Sequence, residues 1–524
     1  MPLHTRLPDD IKTVDVIVAG GGTAGCVLAA RLAEADPNLS ILVIEQGMNN
    51  YNLPQVVYPA LFPQNLLQDS KTALFWQGNQ SADLANRAPI VPSGGILGGG
   101  FETYHGRGER EHHGYSGPIN ISSGTFRAKR AEDDFIDAAA QLGYSELKDL
   151  QNLDANNATE RWLRYVGPDG KRQGEYAAHR FIHPKLQSGG YPNLHVLVEN
   201  QAIRVLIDEN KRAVGVEIQP NPKFQSVLKS MQQPGSDKQT VRASKKIIVS
   251  AGANGTPLIL ERSGIGDPNV LRRVGVPLVE ALPGVGNEYQ DHHLSLWAYR
   301  TSLSPRECIN GFQDGRWNVH EAIRRNDELL GWNSMDASGK FRPTERDVDA
   351  LGPAFRKFWD KHFKNAPDRP LMIIALYLAF FGDHATLPDS AEYVSLACWT
   401  AYPESRGSIH IKKPYISNEY PNPVDFDVGY LNDPDSVDVK KHIWSYKLQR
   451  EMFRRMSIYR GELASSHPTF PPGSKAAIVE RANGPVSNST PKIEYTEEDD
   501  RAIEQKVRET VSTTWHSLAS LALS

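Results

Sequence analysis

The sequence is poor in cysteine and has no long apolar segment. Its 524 residues include three cysteines, Cys26, Cys308 and Cys398, and this odd, widely spaced set argues against a disulfide framework. The longest apolar run, residues 371–381, is far shorter than the roughly 20 residues that cross a bilayer. The net charge of −4 offers no basic face to nucleic acid, and the first residues form no apolar secretion signal. These absences indicate a soluble, reduced protein with two or three domains.

Glycine, by contrast, is plentiful and clustered near the start of the chain. Residues 14–19 form an apolar, β-branched run that predicts a buried strand. The motif Gly20-x-Gly22-x-x-Gly25 follows it, then a predicted helix over 24–35 and a second apolar strand over Ile41–Ile44. A glycine motif between a strand and a helix is typical of a dinucleotide-binding unit.

Each glycine of the motif has a distinct physical use. Gly20 permits the tight turn, Gly22 lets a pyrophosphate approach the backbone, and Gly25 allows the helix to pack closely on the strand. The helix N-terminus offers unpaired N–H groups to phosphate oxygens. Glu45 ends the second strand, where a carboxylate accepts hydrogen bonds from ribose hydroxyls. The motif alone leaves FAD and NAD open.

Longer segments make the resemblance specific. Residues 14–47, VDVIVAGGGTAGCVLAARLAEADPNLSILVIEQG, resemble the amino-terminal flavin segment of the glucose–methanol–choline (GMC) oxidoreductases. Three later segments also resemble motifs of this family: SAGANGTPLILERSGIGDP (250–268), LPGVGNEYQDH (282–292) and STTWHSL (512–518). The segments FFGDH (380–384), YPESRGSIHI (402–411) and FDVGYLNDP (426–434) are most similar to the fungal alcohol (methanol) oxidase branch.

The resemblance implies FAD as cofactor and oxidation of a primary alcohol to an aldehyde. Hydride would pass to flavin N5, and O2 would accept the electrons and form H2O2. His516 matches the catalytic histidine of the family and would serve as the base, a role that suits imidazole near neutral pH. The implied cofactor-binding residues are Gly20, Gly22, Thr23, Ala24, Gly25, Glu45, Gly98, Gly99 and Ile203. No metal site is predicted, since the histidines from 105 to 113 fit no zinc spacing.

The predicted fold class is an α/β Rossmann-like FAD-binding domain plus an α+β substrate domain with a mostly antiparallel sheet. The expected division is a discontinuous FAD-binding domain from 1–120, 190–300 and 496–524. A connecting, substrate-side segment covers 121–189, and the substrate-binding domain covers 301–495. We further expect a helical middle over 300–365, an irregular glycine-rich stretch over 88–100 and a long loop over 415–438.

Two places depart from the family pattern. After Gly100 a block of the family sequence is absent, and after Leu518 the chain lacks the continuation that carries the second catalytic residue. We therefore expect an internally deleted, C-terminally truncated relative. The alternatives are a GMC dehydrogenase with another acceptor, a catalytically impaired homologue, and an NAD-dependent enzyme without flavin.

The family resemblance also indicates the substrates, the oligomeric state and the cellular location of the protein. A small alcohol and O2 are the expected substrates, and the alcohol oxidase branch suggests a homo-oligomer. The final residues are not an S-K-L-type peroxisomal signal, so the cytosol is the default compartment, although the family resemblance leaves the peroxisome open.

Overall fold

The computed structural model describes residues 3–98, 103–104, 113, 117, 120–152, 154–172, 176–224, 238–414 and 423–521. In chain order the strands are β1 Leu3–His4, β2 Thr13–Ala19, β3 Ile41–Ile44, β4 Ala73–Gln77, β5 Ile90–Gly94, β6 Thr103–Tyr104, β7 Asn120–Ile121, β8 Ala158–Arg161, β9 Leu194–Leu197, β10 Asn200–Ile207, β11 Ala213–Pro220, β12 Gln239–Val249, β13 Ile265–Gly266, β14 Glu280–Ala281, β15 Val285–Gln290, β16 His293–Thr301, β17 Met335–Phe341, β18 Met372–Tyr377, β19 Tyr393–Thr400, β20 Gly407–Ile411, β21 Val424–Asp427, β22 Tyr459–Glu462, β23 Ser512–Thr513 and β24 Ala519–Leu521.

The α-helices are α1 Thr23–Ala35, α2 Pro54–Val57, α3 Lys129–Gln141, α4 His183–Ser188, α5 Gly252–Arg262, α6 Pro268–Val274, α7 Asn310–Gln313, α8 Val319–Arg325, α9 Glu345–Ala350, α10 Pro353–His362, α11 Val437–Phe453 and α12 Glu497–Thr510. Among the described residues, no helix is long and apolar enough to cross a membrane.

The first sheet is mixed, with the strand order β1-β9-β3-β2-β12-β11-β10. Neighbours from β1 through β12 are parallel, and β11 and β10 add an antiparallel hairpin. β2 and β3 are apolar and mostly buried because they lie in the middle of the sheet. Small residues, including the buried Cys26, line the buried face of α1. The strand–helix–strand unit predicted for residues 14–44 is confirmed, with the helix beginning at Thr23.

A second sheet is wholly antiparallel, with the order β22-β16-β19-β18-β17-β8, and β23 also pairs with β16. α11 is buried around almost its whole circumference, as expected for a helix enclosed by the core. A third sheet, β21-β20-β15-β24, joins the strand before Asp291 to the strand after His516. The pairing of β15 with β24 and of β16 with β23 therefore positions the segment around His516.

Three expectations from the sequence are wrong in part. The middle region contains β17 as well as helices, because β17 fits between β18 and β8. The stretch over 88–100 contains β5, which pairs with β4, and the expected loop over 415–438 contains β21 and the first turn of α11. Hydrogen bonds to β8 and β18 hold β17, and hydrogen bonds to the preceding strands β4 and β20 hold β5 and β21, which compensates for weak local propensity.

The last helix begins with a capping box. The Thr496 Oγ1 accepts a hydrogen bond from the Asp499 backbone N–H at 3.2 Å, and the Asp499 carboxylate accepts from the Thr496 N–H at 2.8 Å. This cap fixes where α12 begins. Ile503, Val507 and Val511 are fully buried on one face of this region, which anchors the segment that leads to His516.

Candidate active site

The glycine turn between β2 and α1 is built as its spacing predicts. Gly20 has a φ of +113°, a conformation that side chains strongly disfavour. A Cβ on Gly25 would lie 2.0 Å from the carbonyl oxygen of Gly20, so a side chain at this position would push α1 away from the turn. Gly22 is different, because a Cβ there would meet nothing within 4 Å. It caps α1 without a side-chain hydrogen bond, which leaves the first N–H groups of the helix available to an anion.

Glu45 is a buried carboxylate at the end of β3. Its Oε2 accepts a hydrogen bond from Gly21 N–H and its Oε1 accepts one from Gly47 N–H, each at 2.8 Å. Burial raises the pKa of Glu45 to about 7, and the two backbone hydrogen bonds oppose that rise. The carboxylate thus holds the turn together and still borders the cavity described next.

A cavity of about 1120 Å³ opens beside this turn. The predicted residues that line it are Gly20, Gly22, Thr23, Ala24, Glu45 and Gly98. Gly98 also donates its N–H to the Gly21 carbonyl at 2.7 Å, which joins the second glycine-rich loop to the first. Gly25 packs against the turn instead, and the buried Ile203 is absent from the lining although Gln201 and Ala202 contribute to it. Gly99 lies outside the described residues.

A second helix N-terminus at the same cavity was not assigned from the sequence. Residues Gly252 to Gly255, the first turn of α5, line the cavity, and their cap Ala251 has no side-chain hydrogen bond. Ser250 links the two turns, since its Oγ donates to the Gly20 carbonyl at 2.8 Å. A signal for this second site is present in the sequence, because Ser-Ala-Gly directly follows β12. Since β12 is parallel to β2, both strands end at the same edge of the sheet, and the turns that follow them lie close together.

His516 lies in a segment held by one buried carboxylate. Asp291 accepts hydrogen bonds from the hydroxyls of Thr513, Thr514 (3.3 Å) and Tyr430 (3.1 Å), and from the His516 backbone N–H (3.3 Å). Asp291 thereby joins the segment around His516 to the start of β16.

The His516 side chain is exposed, and its neighbours Trp515 and Ser517 line the cavity while His516 itself is not part of that lining. Although the residue as a whole is exposed, desolvation by the protein packed around its ring is the main factor that lowers the pKa of the imidazole. The His292 ring adds to the lowering, and Asp291 opposes it. An imidazole in this setting is neutral near pH 7 and can accept a proton.

Aromatic side chains that no sequence motif assigned to the site form part of the cavity wall. Phe62, Phe75, Trp76 and Trp515 contribute to the lining. Trp515 has a φ of +64°, and its ring lies 6.0 Å from that of Phe381. The cavity is thus apolar on one side and bordered by two helix N-termini on the other.

The described residues contain no group of three or more His, Cys, Asp or Glu side chains arranged to hold a metal. Of the histidines between 105 and 113, only His113 is described, and its Nε2 lies 2.7 Å from an Asp149 carboxylate oxygen. Burial strongly raises the pKa of the Cys26 thiol, which makes it an inert packing residue rather than a nucleophile.

Comparison with known proteins identifies relatives along almost the whole chain. The sequence profile described as GMC oxidoreductase matches residues 101–294, and one described as lycopene cyclase protein matches residues 15–60. An alcohol oxidase of Candida boidinii is 33% identical, with 97% of this chain and 85% of the relative covered. Alcohol oxidase 2 of Komagataella phaffii is 32% identical, with 97% and 86% covered. The first alignment extends over 585 positions, more than the 524 residues of this chain, so that relative contains segments without a counterpart here.

Solved structures share the fold at lower identity. A formate oxidase matches with a TM-score of 0.73 and 16% identity, over 97% of this chain and 88% of that one. A pyridoxine 4-oxidase from Mesorbium loti matches with a TM-score of 0.68 and 20% identity, over 96% and 87%. The mixed α/β architecture with several sheets is therefore that of known oxidases.

Proposed function

Since this chain belongs to the GMC oxidoreductase family, and within it is similar to fungal alcohol oxidases over nearly its full length, we propose that it oxidises a primary alcohol to an aldehyde with FAD as cofactor and O2 as electron acceptor. The observation that carries this proposal is the juxtaposition of one large cavity, two uncapped helix N-termini and a histidine segment tied down by Asp291.

The residues present fit a dinucleotide. The space above Gly22, which a Cβ would enter freely, and the open N–H groups of α1 suit a pyrophosphate. Glu45 at the cavity edge suits the adenosine ribose, and the backbone of Gly98 borders the space beside the turn that would hold the flavin. When bound, FAD supplies a two-electron acceptor for the alcohol hydride and passes the electrons to O2.

The chain's own contribution to the reaction is the positioned base. We assign His516 as the group that accepts the hydroxyl proton, because its imidazole is exposed beside the cavity and its pKa is lowered. Asp291 accepts a hydrogen bond from the backbone N–H of His516, so the fold positions the main chain from which the imidazole extends. The aromatic side chains in the cavity lining, Trp515 among them, make part of the site apolar.

The finer architectural assignment belongs to the same proposal. We assign the parallel part of the first sheet with α1 to a Rossmann-like FAD-binding domain, discontinuous over 1–120, 190–300 and 496–524. Residues 301–495, which supply most of the antiparallel second sheet, would form the substrate-binding domain, with 121–189 as the connecting segment. We propose a homo-oligomer by analogy with the alcohol oxidase branch.

The test combines cofactor and oxygen measurements. Purified protein reconstituted with FAD should show flavin absorbance near one FAD per chain, and it should consume O2 and release H2O2 with primary alcohols. His516→Gln should keep the flavin bands and lose about 100-fold or more in kcat. His320→Gln, at an exposed position remote from the cavity lining, is the matched control.

Two results would overturn parts of this proposal. Flavin that alcohols reduce anaerobically, without oxygen uptake in air, would identify a dehydrogenase. A protein that folds and takes up no FAD would contradict the cofactor assignment itself.

A further inference from the structure

A second imidazole lies against His516. The ring centroids of His292 and His516 are 5.5 Å apart and their planes are perpendicular, so one ring presents its edge to the face of the other. His292 follows Asp291 directly, which means that two adjacent residues hold the His516 segment, one through its backbone and one through its ring.

The tautomer of His292 is fixed by the main chain. Its Nδ1 lies 2.7 Å from the carbonyl oxygen of Thr400, and a carbonyl can only accept, so Nδ1 carries the proton and Nε2 carries the lone pair. No hydrogen bond to His292 Nε2 forms among the residues that the structure describes. The ring is thus anchored on one side and open on the other.

We infer that His292 is a positioning residue for His516, whose ring supports the orientation of that imidazole and whose protonation disfavours a proton on it. The inference rests on the proposed function, because it takes His516 as the base. Two imidazoles at 5.5 Å repel each other when both are charged, so a proton on His292 disfavours one on His516. Burial is the main cause of the lowered pKa of each ring, and His292 adds to the lowering at His516.

Other ionisable groups near the two rings also affect how readily the rings are protonated. Asp291 and His293 interact with the pair directly. Tyr289 and Tyr430 donate hydrogen bonds to Asp291, and Asp438 and Lys441 interact with His293. Asp291 favours protonation of both rings, whereas burial opposes it. Because Asp291 is common to every variant below, a change at His292 alone isolates the effect of the second ring.

The experiment uses two substitutions in the full-length, FAD-loaded protein. His292→Phe keeps an aromatic edge against His516 without a titrating nitrogen, and His292→Ala removes both. The readouts are the His516 pKa, measured by NMR titration of protein carrying ¹³C-labelled histidine and assigned with His516→Gln, and the pH profile of kcat/KM. His320→Phe, an exposed histidine changed to the same residue, is the control.

In His292→Phe the pKa of His516 should rise by about half a unit or more, and kcat above that pKa should stay within about threefold of the wild type. In His292→Ala the same rise should come with a loss of about tenfold or more in kcat at every pH, because the ring loses its support. A His516 pKa that does not move in either variant would overturn the inference. The NMR titration does not need turnover, so a protein that oxidises no alcohol would refute the proposed function and still decide the role of His292.

Discussion

Gly22 and Gly25 lie at the start of α1 but differ in the space around them, so the structure predicts that the same substitution will have different effects at the two positions. In Gly25→Ala the new Cβ would lie 2.0 Å from the Gly20 carbonyl oxygen and 3.0 Å from Ser250 Oγ. Cβ contacts below 3.0 Å essentially do not occur, so the helix must move by at least about 1 Å in a closely packed region. We expect a loss of about 3 kcal/mol in the free energy of unfolding.

In Gly22→Ala the new methyl group meets nothing within 4 Å and enters the cavity. The backbone already has φ −72°, which alanine accepts, so the apoprotein should keep its stability within about 1 kcal/mol. The methyl group would instead separate a pyrophosphate from the α1 N–H groups. FAD affinity should fall about tenfold or more, equivalent to about 1.4 kcal/mol.

Urea denaturation of the apoprotein and fluorescence titration with FAD separate the two effects. Gly484→Ala is the matched control, because a Cβ there also meets nothing within 4 Å and the residue does not line the cavity. If Gly22→Ala binds FAD like the wild type, the pyrophosphate does not lie on this turn. If Gly25→Ala is as stable as the wild type, the packing argument for the motif is wrong.

Further predictions concern the two buried carboxylates. Burial raises the pKa of Glu45 to about 7 from its ordinary 4.5, so the folded apoprotein retains a proton that the unfolded chain releases. The bound proton contributes about 3 kcal/mol to the free energy of unfolding. This contribution is complete below about pH 4.5 and is lost as the pH rises through about 7. Denaturation curves of the wild type and Glu45→Gln across this range should diverge accordingly, and parallel pH dependences would contradict the assignment. Asp291→Asn turns an amide toward donors that need an acceptor, so it should lower stability by about 2 kcal/mol and reduce kcat with FAD still bound. Unchanged stability and turnover in this variant would show that His516 is held by other contacts.

The sequence by itself determined the features that depend on neighbours along the chain. The strand, glycine turn, helix and second strand over residues 14–44 follow from apolar periodicity and the glycine spacing, and Thr496 with Asp499 marks the start of the last helix. Physical interactions within about 30 residues explain each of these. The long motifs also identified the family, which the comparisons confirm.

Only the tertiary structure decided which distant residues meet. β17 forms because β8, an early strand, and β18 supply its hydrogen bonds, although its surroundings in the sequence resemble helices. β5 and β21 pair with the strands before them, β4 and β20, although their local sequences resemble loops. The turn after β12 reaches the cavity because parallel strands end at one sheet edge. The contacts of His516 with Asp291 and His292 join segments more than 200 residues apart, through the pairing of β15 with β24 and β16 with β23. No local pattern encodes such a contact, because its geometry is set by how whole sheets pack.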